Sequence, residues 1–104
     1  MAEERSVKRI DELRQQIDDL DTRLVELLSK RAACALAIGH EKKLIGLEVY
    51  QPSREADVLS HVQRINPGPL NNEAMKRLFE RIIDEARRLE RVADTDEQTA
   101  PGDH

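Results

Sequence analysis

Between Ile10 and Lys43, apolar residues recur at alternating gaps of three and four, at Ile10, Leu13, Ile17, Leu20, Leu24 and Leu27. That spacing predicts a long amphipathic helix. Continued, the beat falls on Arg31, Cys34 and Ile38, so an arginine stands where the seam should be apolar. A second beat beside it runs through Arg14, Ile17, Asp21, Leu24, Leu28, Arg31, Ala35, Ile38 and Lys42. The side of the helix that should be buried thus carries Arg14, Arg31 and Lys42. Cations gathered in this way suit a small dianion.

Ser6 is the candidate N-cap of this helix, and Gly46 suits the position just past its end, after Lys42 and Lys43 in the last turn. A helix of about forty residues is a rod of roughly 60 Å. After a connector, Leu47 to Gln51, Pro52 opens a second helix in the first turn, where a missing N–H costs nothing. Its apolar face is Val58, Leu59, Val62 and Ile65, with Glu55 on the same side. Asn66-Pro67-Gly68-Pro69 stops it, and Asn71 or Asn72 caps a third helix. That helix carries Met75, Leu78, Phe79, Ile82, Ile83, Ala86, Leu89 and Glu90 on one stripe, so Glu90 takes a place reserved for an apolar group. The expected organisation is one all-α helical domain over residues 6–92, followed by a polar tail over 93–104 that its composition should leave disordered.

Three helices of such unequal length cannot bury one another in a single chain. The second and third are too short to cover the rod, and an uncovered apolar stripe is a partner surface. The economical expectation is an intertwined, antiparallel homodimer. The cations agree with it. Arg31 and Lys42 are eleven residues apart, which is roughly 16 Å along the axis and ~20° around it, so both can touch one small ligand. Arg14 lies seventeen residues before Arg31, roughly 25 Å along the axis and ~100° around it. If all three serve one pocket, Arg14 comes from the partner subunit.

Composition narrows the class. The chain has 104 residues, of which 37% are charged and only 2% aromatic, namely Tyr50 and Phe79. A net charge of -4, without a basic tract, argues against nucleic acid as a partner. No apolar run approaches the roughly 20 residues needed to cross a bilayer, so no membrane role is expected. Met1 to Arg9 is charged and lacks a signal-peptide core. A single cysteine, Cys34, excludes an intrachain disulfide, and its place on the seam suggests a buried, reduced thiol. A cytoplasmic location follows from these signs. His40, His61 and His104 show no metal-ligand spacing, so no metal is expected.

Each charged residue also has a plain structural explanation. Arg31 could snorkel at the seam's edge, and Lys42 could complement a helix C-terminus. Arg14, Arg54 and Glu55 could be surface charges. Glu90 could belong to a salt-bridge cluster with Arg87, Arg88 and Arg91. Gln51 and Ala86, singly, are a turn residue and a core filler.

Their joint order carries a resemblance. Leu13-Arg14-Gln15-Gln16-Ile17-Asp18-Asp19-Leu20-Asp21, Leu27-Leu28-Ser29-Lys30-Arg31, Ile38-Gly39-His40-Glu41-Lys42 and Tyr50-Gln51-Pro52-Ser53-Arg54-Glu55 are similar to the all-helical class of chorismate mutase. Asn66-Pro67-Gly68-Pro69-Leu70 and Leu78-Phe79-Glu80-Arg81-Ile82-Ile83 continue the match. The chain especially resembles the mutase domain at the N-terminus of bifunctional mutase–prephenate dehydratases. The resemblance implies rearrangement of chorismate to prephenate, on the route to phenylalanine and tyrosine, in an intertwined homodimer with no cofactor. A fused or separate partner enzyme of aromatic amino acid biosynthesis belongs to the same expectation. The implied substrate-binding residues are Arg14 from the partner subunit, Arg31, Ile38 as an apolar wall, Lys42, Gln51, Arg54, Glu55, Ala86 and Glu90. Glu55 would hold the substrate hydroxyl, and Lys42 and Glu90 would meet the ether oxygen, with Lys42, Glu90 and Arg31 as the catalytic groups. Two positions depart from the family: Gln51 stands where aspartate is common, and Ala86 where some members have serine. Both departures bear on affinity more than on the reaction.

Such a unimolecular pericyclic shift needs no nucleophile. Catalysis comes from holding a reactive conformer and stabilising the charge that grows as the C–O bond breaks. Arginine forks match the two substrate carboxylates, and a lysine matches the ether oxygen. Glu90 helps there only as a protonated donor. Gly39, one turn before Lys42, costs about 1 kcal/mol against alanine in mid-helix, so its missing side chain should make room for ligand or a crossing helix. Two other readings use the same residues: an isochorismate-pyruvate lyase on this scaffold, or a non-catalytic helical dimerisation module.

Overall fold

In the computed structural model, residues 1–98 are described, with side chains described through Ala93. They form α1 (Ala2–Leu44), α2 (Pro52–Ile65) and α3 (Asn72–Gln98), with no strand among the described residues. The chain is all-α, with one very long N-terminal helix, as the periodicity implies. No described helix is long and apolar enough to cross a membrane.

Both outer limits differ from the sequence reading. The first helix begins at Ala2 rather than after Ser6. Glu3 and Glu4 lie in its first turn, where acidic side chains complement the helix dipole, and the Arg5 N–H already bonds the Met1 carbonyl at 3.1 Å. The third helix continues to Gln98, beyond Val92 where the apolar stripe ends. The remainder of the expected tail, 99–104, lies outside the described residues.

The chain divides into two compact units, Met1–Arg31 and Ala32–His104, and α1 contributes to both. The first unit is almost entirely helix. Its seam residues Ile10, Leu13, Ile17, Leu20, Leu24 and Leu27 are between 40% and 59% exposed. In the second unit α2 packs on α3. Val62 of α2, 6% exposed, is its most deeply buried apolar side chain, with Val58, Leu59, Phe79, Ile82 and Ile83 half-buried. Cys34, expected to be buried, is exposed, and so is Ile38 one turn later. Both lie on the seam that α2 and α3 do not cover.

Local chemistry sets the joints. The Leu47 N–H bonds the Lys42 carbonyl at 2.8 Å and the Gly46 N–H bonds the Lys43 carbonyl at 3.3 Å, while Gly46 adopts φ +73°. This is a Schellman stop, which requires a left-handed residue that glycine supplies without strain. Gln51 precedes α2 with extended backbone and makes no side-chain capping bond, although its carbonyl accepts from the Arg54 and Glu55 N–H groups at 3.1 and 3.2 Å. Between α2 and α3, Asn66 ties the turn. Its Nδ2 donates to the Leu70 carbonyl at 2.7 Å and to Asn72 Oδ1 at 3.0 Å, and its Oδ1 accepts from the Gly68 N–H at 3.1 Å. Asn71 caps α3, its Oδ1 accepting from the Ala74 N–H at 2.8 Å.

Candidate functional site

The second unit brings together the last turns of α1, the connector, the start of α2 and the middle of α3. Lys42 is half-buried and donates from Nζ to the Val49 carbonyl at 3.3 Å. An ammonium carries three donors, so two remain for a ligand. Its carbonyl is held in the helix stop, so Lys42 is fixed at both backbone and side chain.

Gly39 faces Glu90 of α3. A Cβ built at Gly39 would lie 3.3 Å from both Cδ and Oε2 of Glu90. The space left by the missing side chain is therefore taken up by a carboxyl group from the crossing helix. Beside it opens a groove of about 400 Å³ whose lining includes Gly39, His40, Lys43, Val49 and Glu90. Ile38 and Lys42 are not among the residues that line that groove. Glu90 thus marks its wall, half-buried at the stripe position that the sequence reserves for an apolar residue.

On the α2 side, Glu55 is 22% exposed and pairs through Oε1 with Nη2 of Arg87, itself 30% exposed. Arg87 also donates to Asp84 Oδ1 at 3.3 Å, and its Cζ lies 4.8 Å from the centre of the Tyr50 ring. The sequence reading placed Arg87 only among the charges near Glu90 and gave Tyr50 no role. A signal for the pair was present. Glu55 sits on the apolar face of α2, and a carboxylate turned toward a helix interface needs a cation opposite it. Gln51 and Ala86 are half-buried, whereas Arg54 is exposed. Arg14 and Arg31 belong to the first unit, Arg14 exposed and Arg31 half-buried.

A family model described as chorismate mutase type II matches residues 13–91. The chain belongs to that family. The chorismate mutase match begins one residue before Arg14 and ends one residue after Glu90, so it spans every candidate site residue. A bifunctional chorismate mutase/prephenate dehydratase of Stutzerimonas stutzeri is 43% identical over 83 residues, which cover 75% of this chain and 23% of that protein. Another of the same description, from Neisseria gonorrhoeae, is 44% identical over 86 residues, 79% of this chain and 23% of that one. The chain therefore spans about a quarter of the length of the curated relatives it matches. Among solved structures, a chorismate mutase (form II) from Thermus thermophilus superposes with a TM-score of 0.78 at 34% identity, over 80% of this chain and 94% of that one. The superposition thus takes in nearly the whole of that solved chain.

Proposed function

We propose that this chain rearranges chorismate to prephenate, as a homodimer with two active sites, each completed by Arg14 of the other subunit. The observation that carries the reading is the family match over residues 13–91, which contains the cations and carboxylates in one ordered series. Support for the dimer comes from the exposed seam of α1. Six large aliphatic side chains on one stripe, each at least 40% exposed, form a surface that a second copy would bury.

In this reading Arg14 of the partner subunit and Arg31 take the two carboxylates of the substrate. Arg54 and Gln51 contribute to substrate binding, Ala86 lies near a substrate carboxylate, and Ile38 supplies an apolar wall. Glu55 accepts from the ring hydroxyl. Lys42 and Glu90 meet the ether oxygen. The ammonium of Lys42 interacts more strongly with that oxygen as negative charge develops than in the ground state, and this difference lowers the barrier. Glu90 donates to the same oxygen in its protonated form. No proton is transferred and no covalent enzyme intermediate forms, so confinement of the reactive conformer and these charges account for the rate. The same reading gives the chain a cytoplasmic location and a partner activity, fused or separate, that consumes prephenate.

Loss of chorismate absorbance on adding the protein, with the product identified, tests the reading. Prephenate is expected. Salicylate and pyruvate from isochorismate would instead indicate a lyase. No turnover, together with no chorismate-dependent rise in Tm, would leave only a dimerisation module. The Tm rise should disappear in Arg31→Ala.

A further inference from the structure

Glu55 is expected to accept a hydrogen bond from the substrate hydroxyl, yet one of its oxygens already has a partner. Oε1 accepts a hydrogen bond from Nη2 of Arg87, across the interface between α2 and α3. A carboxylate has two acceptor oxygens, so this pairing leaves Oε2 for a ligand while removing the side chain's freedom to turn. Arg87 is itself held from two further directions. Asp84, one turn earlier on α3, accepts from it at 3.3 Å, and the Tyr50 ring of the connector lies under its guanidinium at 4.8 Å. Cation–π contact of this kind fixes the plane of the fork.

The need for such a clamp follows from the start of α2. Gln51 makes no side-chain cap there, so the first turn, which carries Arg54 and Glu55, lacks the tether that an aspartate or serine would supply. Arg87 replaces that tether from outside the helix. It binds the first turn of α2 to α3 and, through Tyr50, to the residue just before Gln51.

We propose that Arg87, steadied by Tyr50 and Asp84, is a positioning residue that aims the Glu55 carboxylate at the substrate hydroxyl. The inference rests on the mutase reading above. Arg87 acts through Glu55 and does not itself touch substrate. Its removal should therefore matter only while Glu55 can use the alignment.

The experiment is a cycle of Arg87→Met, Glu55→Gln and the double variant, with kcat and KM for chorismate and with Tm. Arg87→Met should lower kcat/KM about tenfold or more, the size of effect expected for a misplaced charge-assisted hydrogen bond. Arg87→Lys, which keeps the charge, should recover part of that loss. In the Glu55→Gln background, Arg87→Met should cost little further. Equal losses in both backgrounds would mean that Arg87 meets the substrate directly, and would overturn the proposal. So would an Arg87→Met enzyme as active as the unaltered one. If Arg87→Met does not fold, Tyr50→Leu carries the same comparison, since it removes only the ring under the guanidinium. A protein that leaves chorismate untouched would sink the mutase reading itself, whereas a working mutase with additive losses would sink this inference alone.

Discussion

Replacing Gly39 with alanine separates stability from catalysis within one substitution. In the middle of a helix, alanine is favoured over glycine by about 1 kcal/mol, so helix propensity alone would raise Tm by roughly 4–8 °C in a domain of this size. Against that gain stands the 3.3 Å approach of the new Cβ to Cδ and Oε2 of Glu90. Carbon–carbon contacts are at their best near 3.5–4.0 Å, so the carboxyl must retreat by a few tenths of an ångström. Glu90 is a flexible side chain, and the retreat costs it little. If Glu90 meets the reacting oxygen as proposed, the same retreat is expensive, because a displacement of about 1 Å can lower rate by about a hundredfold. Gly39→Ala is therefore expected to unfold at the same temperature as the unaltered protein or a few degrees higher, and to lose roughly three- to tenfold in kcat with a smaller change in KM. Thermal denaturation by circular dichroism and a chorismate assay on one preparation supply both numbers. A variant with full kcat would refute the reasoning, since Glu90 could then be moved without consequence. A large fall in Tm would refute it too, by showing that the helices rather than the carboxyl had been forced apart.

Three further outcomes are expected. Mixing Arg14→Ala with Lys42→Ala, each inactive alone, should restore about a quarter of the unaltered activity after subunit exchange, because half the dimers are then mixed and each holds one intact site of two; no recovery would refute sharing of the site. Glu90→Gln, whose amide donates a hydrogen bond without needing an added proton, should keep or raise kcat at neutral pH; a large loss of kcat would refute a donor role for this position. Asn71→Ala removes the bond to the Ala74 N–H and should cost about 1 kcal/mol, lowering Tm by roughly 4–8 °C without changing KM.

How much of this was legible in the sequence depends on the distance over which each interaction acts. The helices and their stops are local. The Gly46 stop, Pro52 in the first turn of α2 and the Asn71 cap each announce themselves within a few residues of where they act. The ends of α1 and α3 were less legible, since Ala2–Arg5 and Ala93–Gln98 carry no apolar stripe and helix formation there does not depend on one. Gly39 signalled that something approaches α1, and only the fold identifies it as Glu90. The Glu55–Arg87 pair joins residues that are 32 apart in sequence, on a helix where several arginines compete for the role. Spacing alone could not choose among them, whereas the packing of α2 on α3 does. The exposure of Cys34 and Ile38 has the opposite lesson. Periodicity puts them on one stripe with the other apolar residues of α1, but says nothing about whether a single chain covers it.

Lys42 closes α1 with its carbonyl and braces the connector with its ammonium, through Leu47 and Val49. Those seven residues from Ile45 to Gln51 are therefore gauge as well as linkage. Adding or deleting one of them would shift the Val49 carbonyl relative to a helix end that cannot follow. The error would appear at Lys42, the ammonium proposed to meet the ether oxygen. Most loops drift in length without penalty; this one is calibrated by the residue it has to aim.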